Sequence, residues 1–246
     1  NSMEKDNPKR AARLLKKAIK FDTTNIAYSY RLAYAYHVAE QYENSLETLH
    51  FIVNQKKDNE MVYELLGENY IKLNYKTKAF NAYVEGIKKF PNEGILYEQI
   101  GKLEMEKENY FAALEHFENG ILMAPHYANN YYWTSKIYCN STEEVWGLIY
   151  GEIFMNLERN SDKTEEISAL LYNTLKREIR FNKDSTITVN ICQDKNRIIP
   201  EDDTLDIPSF GKEIIERNLL KSLVDLNKIS LRNLDKMRSS FIAHYF

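Results

Sequence analysis

Many residues in this sequence could do chemistry, but few are spaced to do it together. The five histidines, His37, His50, His116, His126 and His244, are scattered, and no two stand where a pair of imidazoles would share one metal ion. Cys139 and Cys192 lie far apart without CxxC or Cys/His ligand spacing, so buried thiols are expected rather than a disulfide or a zinc site. Glu201, Asp202, Asp203 and Asp206 form an acidic stretch that lacks the turn glycine and closing glutamate of a calcium loop, and it reads as a solvated loop. There is no phosphate-cradling glycine loop, no GxSxG elbow and no HExxH pair. The expectation is a chain with no catalytic residues, no metal ligands and no cofactor. Its 18 tyrosines could form a stacking platform or a packed interior, and their periodicity decides between the two.

Charge narrows the partners. With 33 basic and 36 acidic residues the formal net charge is -3, and the mixed signs provide no basic field for nucleic acid. No run of 18 apolar residues is present, and NSMEKDNPKR at the start lacks the apolar core of a signal peptide. A protein or peptide partner is expected, with no nucleic acid and no membrane span. The compartment is expected to be cytoplasmic or, if an upstream signal sequence was removed, periplasmic.

The elements that must position these residues recur with a fixed period. In the unit 60–93, Tyr63, Leu66, Gly67, Tyr70, Ala79, Tyr83, Gly86 and Pro91 occupy positions 4, 7, 8, 11, 20, 24, 27 and 32 of a 34-residue pattern. The unit 94–127 repeats it with Tyr97, Ile100, Gly101, Ala113, Phe117, Gly120 and Pro125, departing at Glu104 where a tyrosine is usual. The unit 26–59 keeps Leu32, Ala33, Tyr36, Ser45 and Leu49, with a large Ile52 and with Lys57 in place of the proline. Small residues at positions 8, 20 and 27 let two helices approach, while large ones at 4, 7, 11 and 24 fill the space between units. Most tyrosines fall at these packing positions, which makes them core. The pattern predicts antiparallel helices near 26–39, 42–55, 60–73, 76–89, 94–107 and 110–123.

The flanks are less regular. Pro8 opens a single helix, capped by Asn7, in a half repeat over 8–25. The unit 128–161 is degenerate. Its second helix is expected after Ser141 or Thr142 as N-cap, with Gly147 and Gly151 marking a close helix approach. Residues 1–161 are thus read as one solenoid and 162–246 as a small α/β cap. In the cap, Thr164 to Arg180 has helical spacing. Ser185 to Cys192 alternates as a strand, and Arg197-Ile198-Ile199 are expected to be its hairpin partner. Lys212 to Asn227 reads as a helix with a broad apolar face, and Ser230 caps a last one.

These motifs resemble the tetratricopeptide-repeat (TPR) family over roughly residues 8 to 161, and WGLIYGEIFMNLERNS with the helix and hairpin after it resembles the tail of some Bacteroidetes repeat proteins. The resemblance implies a right-handed α-solenoid whose first helices line a concave groove. It also implies which residues face a ligand: Tyr30, Tyr34, His37, Glu64, Glu68, Lys72, Glu98, Lys102, Tyr132 and Lys136. The lysine, asparagine and arginine clamp of chaperone-tail receptors is missing, since Tyr30, Tyr34, Leu65, Ile95 and Gln99 stand at the matching positions. The expected role is a non-catalytic scaffold for a peptide or protein, and Tyr30, Tyr34, Glu64, Glu68, Glu98, Lys102 and Tyr132 are expected to be solvent-reachable. The alternative is a regulatory or small-ligand-sensing domain that uses the cap.

Overall fold

In a computed structural model the structure describes residues 8–23, 25–183, 186–192, 210–224, 226 and 228–245. By packing, the chain divides into two units, Asn1–Asn130 and Tyr131–Phe246.

In the first unit the helices stand where the period puts them. They are α1 (Pro8–Phe21), α2 (Ile26–Val38), α3 (Tyr42–Asn54), α4 (Glu60–Lys72), α5 (Lys76–Lys89), α6 (Gly94–Met105) and α7 (Tyr110–Met123). α2 and α4 start at the caps Asn25 and Asn59, whose side chains accept backbone N–H bonds from Ala27 and Val62. The Asn7 cap lies outside the described residues.

Close approach is legible at two glycines. A Cβ at Gly67 would sit 2.2 Å from the ring of Tyr83, and one at Gly101 would sit 2.4 Å from Phe117, so α4 meets α5 and α6 meets α7 through rings laid on bare backbone. Ser45, Ala79 and Ala113, at position 20 of their units, are fully buried. Tyr63, Tyr83, Leu96 and Ile100 form one continuous core with Leu49 and Leu66, and Tyr97 is buried as well. Tyr70 is only partly buried. The irregular Glu104 is buried too, and its carboxylate accepts from Lys107 Nζ at 2.7 Å and Asn109 Nδ2 at 3.2 Å.

Each hairpin turns on a left-handed residue that is not glycine: Glu40 (φ 59°), Asn74 (φ 60°) and Glu108 (φ 59°). The next amide closes back onto the helix, with Gln41 N to Tyr36 O at 2.9 Å, Tyr75 N to Tyr70 O at 2.7 Å and Asn109 N to Glu104 O at 3.0 Å.

The second unit holds most of α8 (Ala128–Tyr138), then α9 (Glu144–Leu157), α10 (Asp162–Glu178), β1 (Ile179–Phe181), β2 (Ile187–Val189), a π-helical stretch Phe210–Glu216, α11 (Arg217–Leu223) and α12 (Leu231–Tyr245). Ser161 caps α10, accepting from Thr164 N at 3.2 Å. Gly151 lies against Ser135 and Leu171, and Gly147 against the backbone of Cys139, so close approach at both glycines is realised. Both cysteines are buried free thiols. Val145, Leu175, Ile179, Ile191, Leu219, Leu223 and Met237 form the core. Glu216 ties the sheet edge to it, its Oε1 accepting from Ile191 N and Cys192 N at 2.9 and 3.0 Å.

The structure corrects several expectations. β2 pairs antiparallel with the upstream Ile179–Phe181, a strand that the expected hairpin did not include; Arg197–Ile199, its expected partner, lie outside the described residues, as does the acidic stretch 201–206. The apolar alternation of Ile179 and Phe181 lets the end of the α10 segment continue as strand, and the turn between is closed by Asn182 N to Thr186 O at 2.9 Å. The N-cap of α9 is Glu143, because Ser141 instead uses its hydroxyl to accept from Glu143 N at 3.0 Å within the preceding turn. The helix expected over 212–227 begins as π-helix and becomes α-helical only at Arg217.

Candidate groove site

Six of the ten expected groove residues, Tyr30, Tyr34, His37, Glu64, Glu68 and Lys72, line one cavity of about 490 Å3. α2 and α4 supply them because Tyr30, Tyr34 and His37 lie three to four residues apart on one face, as do Glu64, Glu68 and Lys72. Val38, Leu65, Glu40 and Tyr42 complete the wall. Glu40 and Tyr42, which stand at the left-handed turn and the start of α3, were not among the expected groove residues.

The cavity is aromatic and anionic. Tyr34 is 44% exposed and stacks on His37 with ring centroids 6.4 Å apart at 19°, while Tyr42 meets the same imidazole edge-on at 5.7 Å. Burial raises the carboxyl of Glu64 above its ordinary range, and the negative charges of Glu68, Glu98 and Glu60 push it the same way. Burial, followed by the fields of Glu64 and Glu68, raises Tyr30 to about 12. The lining lysine, Lys72, is exposed.

His37 is held from behind. Its Nδ1 is 2.9 Å from Asn69 Oδ1, and Asn69 Nδ2 reaches Ser45 Oγ at 2.9 Å and Leu65 O at 2.7 Å. Ser45 Oγ donates in turn to Ala33 O at 2.8 Å. Asn69 is fully buried on α4, and the periodic pattern, which gives it no role, does not announce its hold on a groove residue.

Glu98 and Tyr132 are not solvent-reachable, contrary to expectation, being 5% exposed each. Glu98 is covered by Tyr127 and Asn129, whose hydroxyl and side-chain amide donate to its Oε2, the amide at 3.0 Å, while Lys102 Nζ lies 3.8 Å from Oε1. In the second unit, Tyr132 donates to Glu166 Oε2, and Lys136 Nζ reaches Glu166 Oε1 at 2.6 Å and the Tyr132 hydroxyl at 3.1 Å. The lysine and hydroxyl bonds hold the Glu166 carboxyl below its ordinary range. Glu166 comes from α10, outside the 34-residue period, so no repeat position announces it.

No protein-family model matches the chain, and no curated protein matches it. Solved structures do. A thermophilic TPR protein of Thermus thermophilus, TTC0263, is 14% identical, with 65% of this chain and 88% of that chain aligned at a TM-score of 0.52. MamA from residue 41 to its end, from Desulfovibrio magneticus RS-1, is 14% identical over 65% of this chain and 91% of that chain, with a TM-score of 0.51. At these identities the likeness concerns architecture, and with the recurring helical pairs it establishes one thing: the chain has the tetratricopeptide-repeat fold.

Proposed function

We propose that the protein is a non-catalytic scaffold that binds a protein or peptide along the inner helices of its repeats. The carrying observation is that side chains from two successive repeats, Tyr30, Tyr34 and His37 with Glu64, Glu68 and Lys72, converge on one cavity. Tyrosine provides large contact area with little rotamer freedom to lose, and the carboxylates favour a partner segment bearing lysine or arginine. The mixed charge offers no basic field for a nucleic-acid backbone, and among the described residues no helix is long and apolar enough to cross a membrane. In this reading the array runs through the degenerate hairpin 128–161, residues 162–246 form its cap, and Lys102 flanks the working surface.

The test is an immobilised peptide array probed with wild type and the Tyr30→Ala, Tyr34→Ala double variant, with circular dichroism as the folding control. Binding should weaken by ~2 kcal/mol or more. Equal binding by two equally folded proteins would move the working surface elsewhere.

A second reading has its own observation. In the second unit a cavity of about 390 Å3 is walled by Val145, Leu148, Ile149, Ile215, Leu219 and Phe241, with the Glu152–Arg238 ion pair at its edge. Its walls suit a small apolar ligand, in keeping with a sensing role for the C-terminal region. Native mass spectrometry of the purified protein would reveal a co-purifying molecule, and an apo mass unchanged by added apolar ligands would remove this reading.

A further inference from the structure

We propose that the cavity between α2 and α4 takes an arginine side chain, and that His37 Nε2 is a specificity-determining acceptor for its guanidinium. This rests on the groove reading above and sharpens it. The hydrogen-bond relay behind His37 is fixed from its buried end. Ser45 Oγ gives its hydrogen to Ala33 O, so its oxygen accepts the bond from Asn69 Nδ2. Leu65 O is a carbonyl and can only accept, so it takes the second hydrogen of the same amide. Both amide hydrogens are then used, which fixes the orientation of the Asn69 side chain and turns Oδ1 toward His37. An amide oxygen needs a donor, so His37 Nδ1 carries its hydrogen. Ser45 and Asn69 are fully buried, and reversing the order would leave acceptor facing acceptor in the interior.

The consequence appears on the cavity side. A neutral His37 with Nδ1 protonated presents a bare Nε2, and Glu68 Oε2 is 3.9 Å from it, beyond hydrogen-bond length. Glu64 and Glu68 add carboxylate acceptors on the same wall. The cavity therefore calls for a cation with donors pointing in several directions. Guanidinium has five donors in a plane, is weakly hydrated and stacks on aromatic faces such as the half-exposed ring of Tyr34. Ammonium has three donors on one strongly hydrated centre.

The experiment uses the whole chain, ring nitrogen shifts of His37 by NMR at about pH 8, where an ordinary histidine is neutral, and titration with N-acetyl-arginine amide, N-acetyl-lysine amide and N-acetyl-citrulline amide. Three results are expected. The Nδ1–H tautomer is seen in the free protein. The arginine amide binds about tenfold more tightly than the lysine amide, and the uncharged citrulline amide does not bind. His37→Phe, which keeps a ring against Tyr34 and removes the acceptor, shrinks the arginine preference to about twofold or less. An Nε2–H tautomer, or equal binding of the arginine and lysine amides, overturns the proposal even if His37→Phe does not fold, since both are read on the wild type. If neither amide binds while peptide capture through Tyr30 and Tyr34 persists, the arginine proposal falls and the groove reading stands. If peptide capture fails as well, both fall.

Discussion

Two polar clusters built on groove positions have opposite fates. Around Glu64 and Glu68 the acidic groups face a cavity, burial and like charges raise the Glu64 carboxyl, and the nearby lysine is exposed. Around Tyr132 the polar atoms satisfy one another: Glu166 accepts from the tyrosine and from Lys136, and its carboxyl is lowered. The same repeat position, the fifth of a unit, supplies Glu64 to one cluster and Tyr132 to the other. What separates them is a partner from another element. α10 brings Glu166 to Tyr132, just as the segment after α7 brings Tyr127 and Asn129 to Glu98, whereas Glu64 faces the cavity. An anionic site held away from its electrostatic optimum costs stability, and such sites concentrate where ligands bind.

The sharpest way to break this contrast is to remove the sealing ring. Tyr132→Ala deletes a nearly buried aromatic side chain that also packs on Phe154 at 5.5 Å, so it should lower stability by about 3 kcal/mol or more in denaturant unfolding. If Tyr132 is structural, peptide capture by the fraction that stays folded should be unchanged. The Tyr30, Tyr34 double variant should do the reverse, losing ~2 kcal/mol of binding with little change in unfolding. A folded Tyr132→Ala protein with impaired capture would return that residue to the working surface.

A smaller effect tests whether the cavity depends on the packing behind it. Ala79 is fully buried on α5, which packs against α4, the helix that carries Glu64 and Glu68. Ala79→Leu should cost ~1 to 3 kcal/mol by overpacking, read as a lower melting temperature. A melt unchanged within error would mean that α5 does not constrain the cavity wall.

Much of this was legible in the sequence, for a physical reason. Gly67, Ala79 and Tyr83 are constrained in size by helices that must touch, so their identities recur and fix the helices to within a residue or two. The left-handed turns at Glu40, Asn74 and Glu108 left no such mark, because the positions hold ordinary polar residues where glycine would have announced the conformation. Coverage was illegible as well. Whether Glu98 or Tyr132 faces solvent depends on Tyr127, Asn129 and Glu166, which belong to a loop and to helices whose repeat positions do not announce the contact. The pairing of β2 with Ile179–Phe181 was missed because alternation identifies a strand without identifying its neighbour.

The smallest expected effect bears most directly on the contrast, because its sign differs between the two clusters. In the native state Glu64 has a raised carboxyl pKa, so the proton is held more tightly folded than unfolded. Below the ordinary carboxylate range the residue is neutral in both states and contributes nothing, while above the raised native value folding carries the full cost of the charge. Glu64→Gln should therefore raise the melting temperature at neutral pH, with the gain fading as pH falls through the carboxylate range. Glu166 runs the other way. Its lowered native pKa stabilises the fold above the ordinary range, and that contribution is lost as pH falls through the native value. Glu166→Gln should then be destabilising at neutral pH and silent in acid. Both side chains retain solvent contact, so screening keeps each effect below about 1 kcal/mol, and paired melts of both variants across a pH series are needed to resolve them. Added arginine amide supplies a second handle: a cation seated beside Glu64 should lower its carboxyl and shrink the advantage of Glu64→Gln, while leaving Glu166→Gln untouched. Melts in which both variants move the same way with pH would mean that the two clusters do not differ in kind.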